Sequence, residues 1–150
     1  MSFDYSQVHQ INNLPELKRF WESFVPHLEP RTILLLNGDV GAGKTTSVQF
    51  IAEILGLKNV QSPSFAIHLR YENPNGRGLD HIDLYRLKDE DDLESSGFWD
   101  IFAQREGLVI IEWSQRLDVD YLPLNWERIE VVIKKSPLSE DTRIITTRLV

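Results

Sequence analysis

The chain has no cysteine, which rules out disulfides and thiolate metal sites and suits a reducing compartment. Long apolar runs are missing too. None approaches the ~20 residues that a membrane helix needs, so no membrane association is expected. The first residues, Met1-Ser2-Phe3-Asp4-Tyr5, lack a basic segment followed by an apolar one. No secretory signal is expected, and a cytoplasmic location is. Basic residues are in deficit: 16 Lys and Arg stand against 23 Asp and Glu, a net charge of -7. The basic residues are scattered. Proteins that grip nucleic acid through many phosphates carry a basic face, so tight autonomous binding to RNA or DNA is not expected. Repeats, low-complexity tracts and linkers are also absent. With 150 residues, the chain fits one domain, 1–150, able to bury about two-thirds of its unfolded surface.

What is present alternates between helical and strand periods. Leu14, Leu17, Phe20, Trp21, Phe24, Val25 and Leu28 recur at helical spacing. Asn13 is a natural cap, Pro15 suits a first turn, and Pro26 ends or kinks the helix. Thr32-Ile33-Leu34-Leu35-Leu36 is a continuous apolar run of the kind found in a parallel strand buried on both faces. A glycine-rich segment follows, then a helix over residues 44–55, with Gly56 as its stop. Residues 65–71 alternate as a strand, Asn73-Pro74-Asn75-Gly76 is a turn signal, and 79–84 form a returning strand. Residues 89–102 read as an irregular helical region interrupted at Gly97. Residues 108–111 are a second buried strand, ending at Glu112-Trp113. Ile129, Val131 and Ile133 alternate, as do Arg143, Ile145, Thr147 and Leu149. Those two strands pair across the polar loop 136–141. The expected fold is α/β: a P-loop NTPase-like three-layer arrangement with a central, largely parallel sheet and antiparallel hairpin additions.

Gly38-Asp39-Val40-Gly41-Ala42-Gly43-Lys44-Thr45 satisfies G-x-x-x-x-G-K-[ST] between a strand and a helix. Each fixed position answers a chemical need. Backbone N–H groups must turn toward phosphate oxygens, and glycines permit that approach. The start of the helix adds its positive dipole end. The Lys44 ammonium can reach the β- and γ-phosphates, and the Thr45 hydroxyl can ligate Mg²⁺ bridging them. Thr46 brings a second hydroxyl toward the α-phosphate. A glycine turn capping a helix is the plain alternative. ATP is the expected nucleotide; no guanine-reading Asn-Lys-x-Asp motif is present, and its absence alone does not exclude GTP.

Such a loop needs an acidic partner on a neighbouring strand to hold Mg²⁺. Glu112 closes the run 108–111, at the strand edge where ligands of open α/β sheets lie. The alternative is a surface glutamate that merely ends a strand. Asp83, in His81-Ile82-Asp83-Leu84-Tyr85-Arg86, stands near the end of another strand. It can orient the attacking water, with Arg86 offsetting γ-phosphate charge; equally, the two can form a solvated ion pair. His81 reads as structural, because no second histidine or cysteine stands at metal-ligand spacing. Ser62-Pro63-Ser64-Phe65 lies where switch segments of such proteins lie. Ser64 there either senses the γ-phosphate or belongs to a proline turn.

Four segments occur in one order: Gly-Asp-Val-Gly-Ala-Gly-Lys-Thr-Thr, Ser-Pro-Ser-Phe, His-Ile-Asp-Leu-Tyr-Arg-Leu and Ile-Ile-Glu-Trp. Together they resemble the TsaE family, the P-loop ATPases of bacterial tRNA threonylcarbamoyladenosine synthesis. The resemblance spans roughly residues 37–113, together with the overall length and the C-terminal hairpin. It implies that Lys44 and Thr45 bind phosphate and magnesium, that Glu112 is the magnesium carboxylate, and that Asp83 is needed for ATP hydrolysis. Ser64 stands where the family has threonine in its Ser-Pro-Thr-Phe or Tyr switch. The resemblance further implies a TsaD–TsaB heterodimer as partner. That pair places the threonylcarbamoyl group on the adenosine beside the anticodon, and it does most of the tRNA binding, which the acidic charge fits. The adenine pocket in this fold would involve the entry to the first helix, near Asn13, and the C-terminal hairpin, near Arg143. Arg143 can equally be a solvated strand residue. Two other functions use the same loop: a small-molecule kinase, and a nucleotide-gated assembly factor in which binding alone switches a partner surface.

Overall fold

The computed structural model describes residues 3–58, 68–74, 76–85, 87 and 89–150. Strand β1 (Gln7–Ile11) is followed by helix α1 (Leu14–Phe24), β2 (Arg31–Gly38), α2 (Lys44–Ile54), β3 (His68–Tyr71) and β4 (Leu79–Asp83). Then come α3 (Glu90–Ser95), β5 (Gly107–Glu112), β6 (Glu127–Lys135) and β7 (Arg143–Leu149). The strands form one seven-stranded sheet in the order β1-β7-β6-β2-β5-β4-β3. Its middle, β6-β2-β5-β4, is parallel. Both margins are antiparallel: β7 and β1 on one side, β3 on the other. The α/β architecture agrees with the sequence reading, although the sheet is more mixed than expected. The difference is β1, which the periodicity does not announce. Its residues Gln-Val-His-Gln-Ile bury only Ile11 fully, so the apolar alternation that marks a strand is lacking.

The central strands explain the layers. Residues 32–36 of β2 and all of β5 are buried, as parallel strands covered on both faces must be. Alternate side chains go to opposite faces. Leu34, Leu36, Leu79, Leu108 and Ile110 pack with Leu17 and Trp21 of α1 and with Val48 and Ile51 of α2. Ile33, Leu35, Ile82, Val109 and Ile111 pack with Leu93 of α3 and with Phe98, Phe102 and Trp126. The sheet is therefore sandwiched between two helical layers.

Local signals behave as their chemistry dictates. The Asn13 side chain accepts a hydrogen bond from the Glu16 amide at 2.9 Å, satisfying one of the free donors of α1. The α-helix stops at Phe24 and a 3-10 turn, Val25–His27, carries Pro26. Gly97 separates α3 from a 3-10 segment, Phe98–Ala103. The expected hairpin of β3 and β4 is formed, with Leu69 opposite His81; residues 65–67 of its first strand lie outside the described residues. Among the described residues, no helix is long and apolar enough to cross a membrane.

Candidate functional site

The glycine-rich loop leaves β2 at the C-terminal edge of the parallel strands and enters α2. Gly38 ends β2 opposite Ile133 of β6, and a Cβ there would run into the Ile133 carbonyl oxygen. Gly43 precedes α2 with φ +113°, a conformation that L side chains resist. Between them, the Ala42 amide bonds the Asp39 carbonyl at 3.0 Å. Asp39, Val40 and Gly41 are exposed, whereas Ala42 is buried. At the start of α2, Lys44 is only 8% exposed. Its ammonium lies 4.5 Å from the centroid of the Trp113 ring, and among the described residues it forms no salt bridge. Thr45 beside it is exposed and Thr46 half-buried. Trp113 has φ 60°, the one positive φ among the described non-glycine residues. Strain of this kind clusters at functional sites. Tyr85 packs against the indole, with ring centroids 4.9 Å apart.

The acidic residues converge on the same edge. Asp83, the last residue of β4, is paired with Glu112, the last residue of β5, and Glu112 is paired in turn with Leu36 of β2. In parallel strands, paired residues face the same way, so Asp83 and Glu112 both look toward the α2 layer. Glu112 is 4% exposed. Its Oε2 lies 2.6 Å from Nε2 of the fully buried His81. Its Oε1 has no hydrogen-bond partner among the described residues. Asp83 is half-buried and accepts the Tyr85 amide at 2.9 Å. Burial pushes its carboxyl above the usual range and the nearby Glu112 adds to this, against the Tyr85 amide, His81 and Lys44. Among the described residues, no three His, Asp or Glu side chains gather into a metal cage. Mg²⁺ binds through one or two protein oxygens plus phosphates and waters. Glu112 Oε1 and the Thr45 hydroxyl are hard oxygen donors of the right kind.

Arg143 stands behind the loop. Its Nε donates to the Ala42 carbonyl at 3.1 Å and its Nη2 to the Gly41 carbonyl at 3.4 Å. Nη1 donates to the carbonyls of Glu140 and Thr142. The guanidinium thus ties the loop to the β6–β7 hairpin. Arg143 also lines a cavity of about 260 Å³ with Ile11, Asn12, Asn13, Leu14, Leu17 and Asp141. The entry to α1 and the C-terminal hairpin therefore meet beside the loop. Ser64 and Arg86 lie outside the described residues. Two neighbours of the site escaped the sequence reading: Trp113 under Lys44, and His81 bonded to Glu112. Their signal was the pleat itself. His81 and Asp83 are two apart on β4, so a carboxylate opposite Asp83 is within reach of both.

The family model of the threonylcarbamoyl adenosine biosynthesis protein TsaE matches residues 11–145. The chain is similar to the tRNA threonylcarbamoyladenosine biosynthesis protein TsaE of Rickettsia typhi, 37% identical over 110 residues, 72% of this chain and 74% of that protein. It is also similar to the protein of that name from Bacillus subtilis, 36% identical over 135 residues, 89% of this chain and 80% of that protein. Among solved structures, the crystal structure of Bacillus subtilis YdiB matches with a TM-score of 0.71 and 28% identity, covering 100% of this chain and 88% of that one. With its glycine loop, both carboxylates and Arg143 inside the matched span, this chain belongs to the TsaE family of threonylcarbamoyl adenosine biosynthesis proteins.

Proposed function

We propose that this protein is a P-loop ATPase and the ATP-binding and hydrolysing subunit of a cytoplasmic tRNA-modifying system. In this reading it works with the TsaD–TsaB heterodimer, which adds the threonylcarbamoyl group to the adenosine beside the anticodon. One observation carries the nucleotide half of the proposal. A nearly buried ammonium, Lys44, has an aromatic face but no carboxylate salt bridge among the described residues. It stands at the head of a helix and a glycine loop, the arrangement that a phosphate chain neutralises. Family membership supports the tRNA half, and the net charge of -7 supports leaving most RNA contacts to the partner.

Each residue then has a task. The amides of residues 38–45 and the Lys44 ammonium bind the β- and γ-phosphates. Thr45 and Glu112 would hold Mg²⁺, which when bound would neutralise phosphate charge. Asp83, beside Glu112, orients the attacking water; its raised tendency to hold a proton suits it to accept one. The Thr46 hydroxyl meets the α-phosphate, and Ser64 senses the γ-phosphate. The base occupies the cavity of Ile11, Leu14 and Leu17, where Asn12 and Asn13 offer amide groups to adenine. Arg143 closes that cavity while bracing the loop.

The test is a reconstituted tRNA modification assay run over several turnovers. Addition of the protein with ATP and Mg²⁺ should sustain turnover by the heterodimer. Asp83→Ala and Glu112→Ala should bind ATP yet fail to sustain it. Hydrolysis by the isolated protein should be slow, near or below ~1 s⁻¹, and raised by the partner. Rapid hydrolysis that ignores the heterodimer would refute the gated-subunit reading. Phosphate transfer to a metabolite would favour a kinase, and full modification with both variants would favour an assembly factor.

A further inference from the structure

We infer that His81 is a positioning residue that fixes the Glu112 carboxylate for the cation. This rests on the proposed Mg²⁺–nucleotide reading and adds a residue to it. The imidazole is fully buried and the Glu112 side chain 5% exposed, with 2.6 Å between Nε2 and Oε2. A carboxylate at this point only accepts, so the Nε2 hydrogen is donated to it. Nδ1 is buried and has no hydrogen-bond partner among the described residues. Among the described residues, the bond to Glu112 is thus the one contact that compensates for burying the polar ring. A purely space-filling residue here, among Leu79, Leu108 and Ile110 on the same face, would be apolar, since an incompletely bonded buried ring is costly.

The pleat explains the task. His81 lies two residues below Asp83 on β4 and faces the layer beneath the end of the sheet. It is too deep to meet a nucleotide at the loop. It reaches the site only through Glu112, by holding Oε2 down and leaving Oε1 at the sheet edge. Without that bond the carboxylate turns among rotamers, and binding the cation must first order it. Partners that orient a metal-ligating group are commonly worth about 10–100-fold in metal affinity.

The experiment measures Mn²⁺, a paramagnetic substitute for Mg²⁺, by electron paramagnetic resonance with a non-hydrolysable ATP analogue bound to the full-length protein. His81→Leu should weaken Mn²⁺ affinity about 10–100-fold and leave analogue affinity in EDTA unchanged. His81→Gln, whose side-chain amide brings an N–H to the place of imidazole Nε2, should stay within about 3-fold of the native value. His81→Asn, one methylene shorter, should fall with the leucine variant. The Gln and Asn pair decides the matter should His81→Leu fail to fold. Native Mn²⁺ affinity in His81→Leu, or equal affinity in the Gln and Asn variants, would overturn the inference. So would equal losses with and without metal, which mark a general defect of the fold. If Mn²⁺ leaves the native protein's affinity for the analogue no higher than in EDTA, the earlier Mg²⁺ reading has failed instead.

Discussion

Lys44 is held at 8% exposure over the face of Trp113. Removing an ammonium from water costs several kcal/mol after relaxation, while a desolvated cation–π contact returns only about 2 kcal/mol or somewhat more. The charge is therefore a net cost in the nucleotide-free protein. Lys44→Met keeps most of the apolar stem and removes the charge. Urea denaturation without nucleotide should find it more stable than native by about 1 kcal/mol, while nucleotide binding falls at least ~100-fold. A less stable variant would mean that the ammonium supports the fold. The glycines of the loop give the opposite sign. A Cβ at Gly38 meets the backbone of β6 rather than a yielding side chain. Gly38→Ala should thus cost about 1–3 kcal/mol in the same measurement, and an undiminished midpoint would contradict the close approach of β2 and β6.

The β3–β4 hairpin carries a second acidic residue with a different fate. Asp80 and Asp83 are three apart, so the pleat sends them to opposite faces. Asp80 is 1% exposed and bonds His68 at 2.7 Å, Arg70 at 2.8 Å and Gln104 at 3.1 Å. Burial draws its carboxyl upward, but the His68 and Gln104 bonds and the Arg70 charge outweigh it and hold it below its ordinary value. A carboxyl lowered in the folded state adds stability above its ordinary value near 3.8 and loses it as pH falls through the folded one. Asp80→Asn should cost about 2–3 kcal/mol at pH 7, and the gap to native should narrow in the acid range below that value. A gap constant with pH would exclude the charge as its source. Elements like these mark what was legible beforehand. The apolar runs 32–36 and 108–111, the proline, asparagine and glycine signals around α1 and α2, and the alternations of β6 and β7 each follow from a local rule. Strand β1 does not, because Val8 and Gln10 are exposed and its pairing to β7 is a tertiary fact. Glu112 and Asp83 were legible as strand ends. Their bonding partners were not, because they depend on which strands become neighbours: β5 separates β2 from β4, and this order alone brings His81 to Glu112.

At the scale of the whole molecule, the loop is a junction. It continues β2, starts α2, is braced by Arg143 from β7, and faces the ends of β4 and β5 through Lys44 and Trp113. A ligand seated there touches segments far apart in sequence, so its binding should be felt by global unfolding rather than by a local loop. Linkage sets the size: a ligand at about 100 times its dissociation constant stabilises by ~2.7 kcal/mol. For a domain of this size each kcal/mol moves the midpoint by about 2–4 °C. Calorimetry with saturating ATP and Mg²⁺ should therefore raise Tm by about 5–10 °C, in a single transition. EDTA should remove much of that rise in the native protein and little of the smaller rise left in Glu112→Ala, because the variant has already lost its carboxylate hold on the cation. A rise confined to a partial, early transition would mean that the loop is coupled only to α2. No rise at millimolar nucleotide would mean that the Lys44 ammonium is held for something other than a triphosphate.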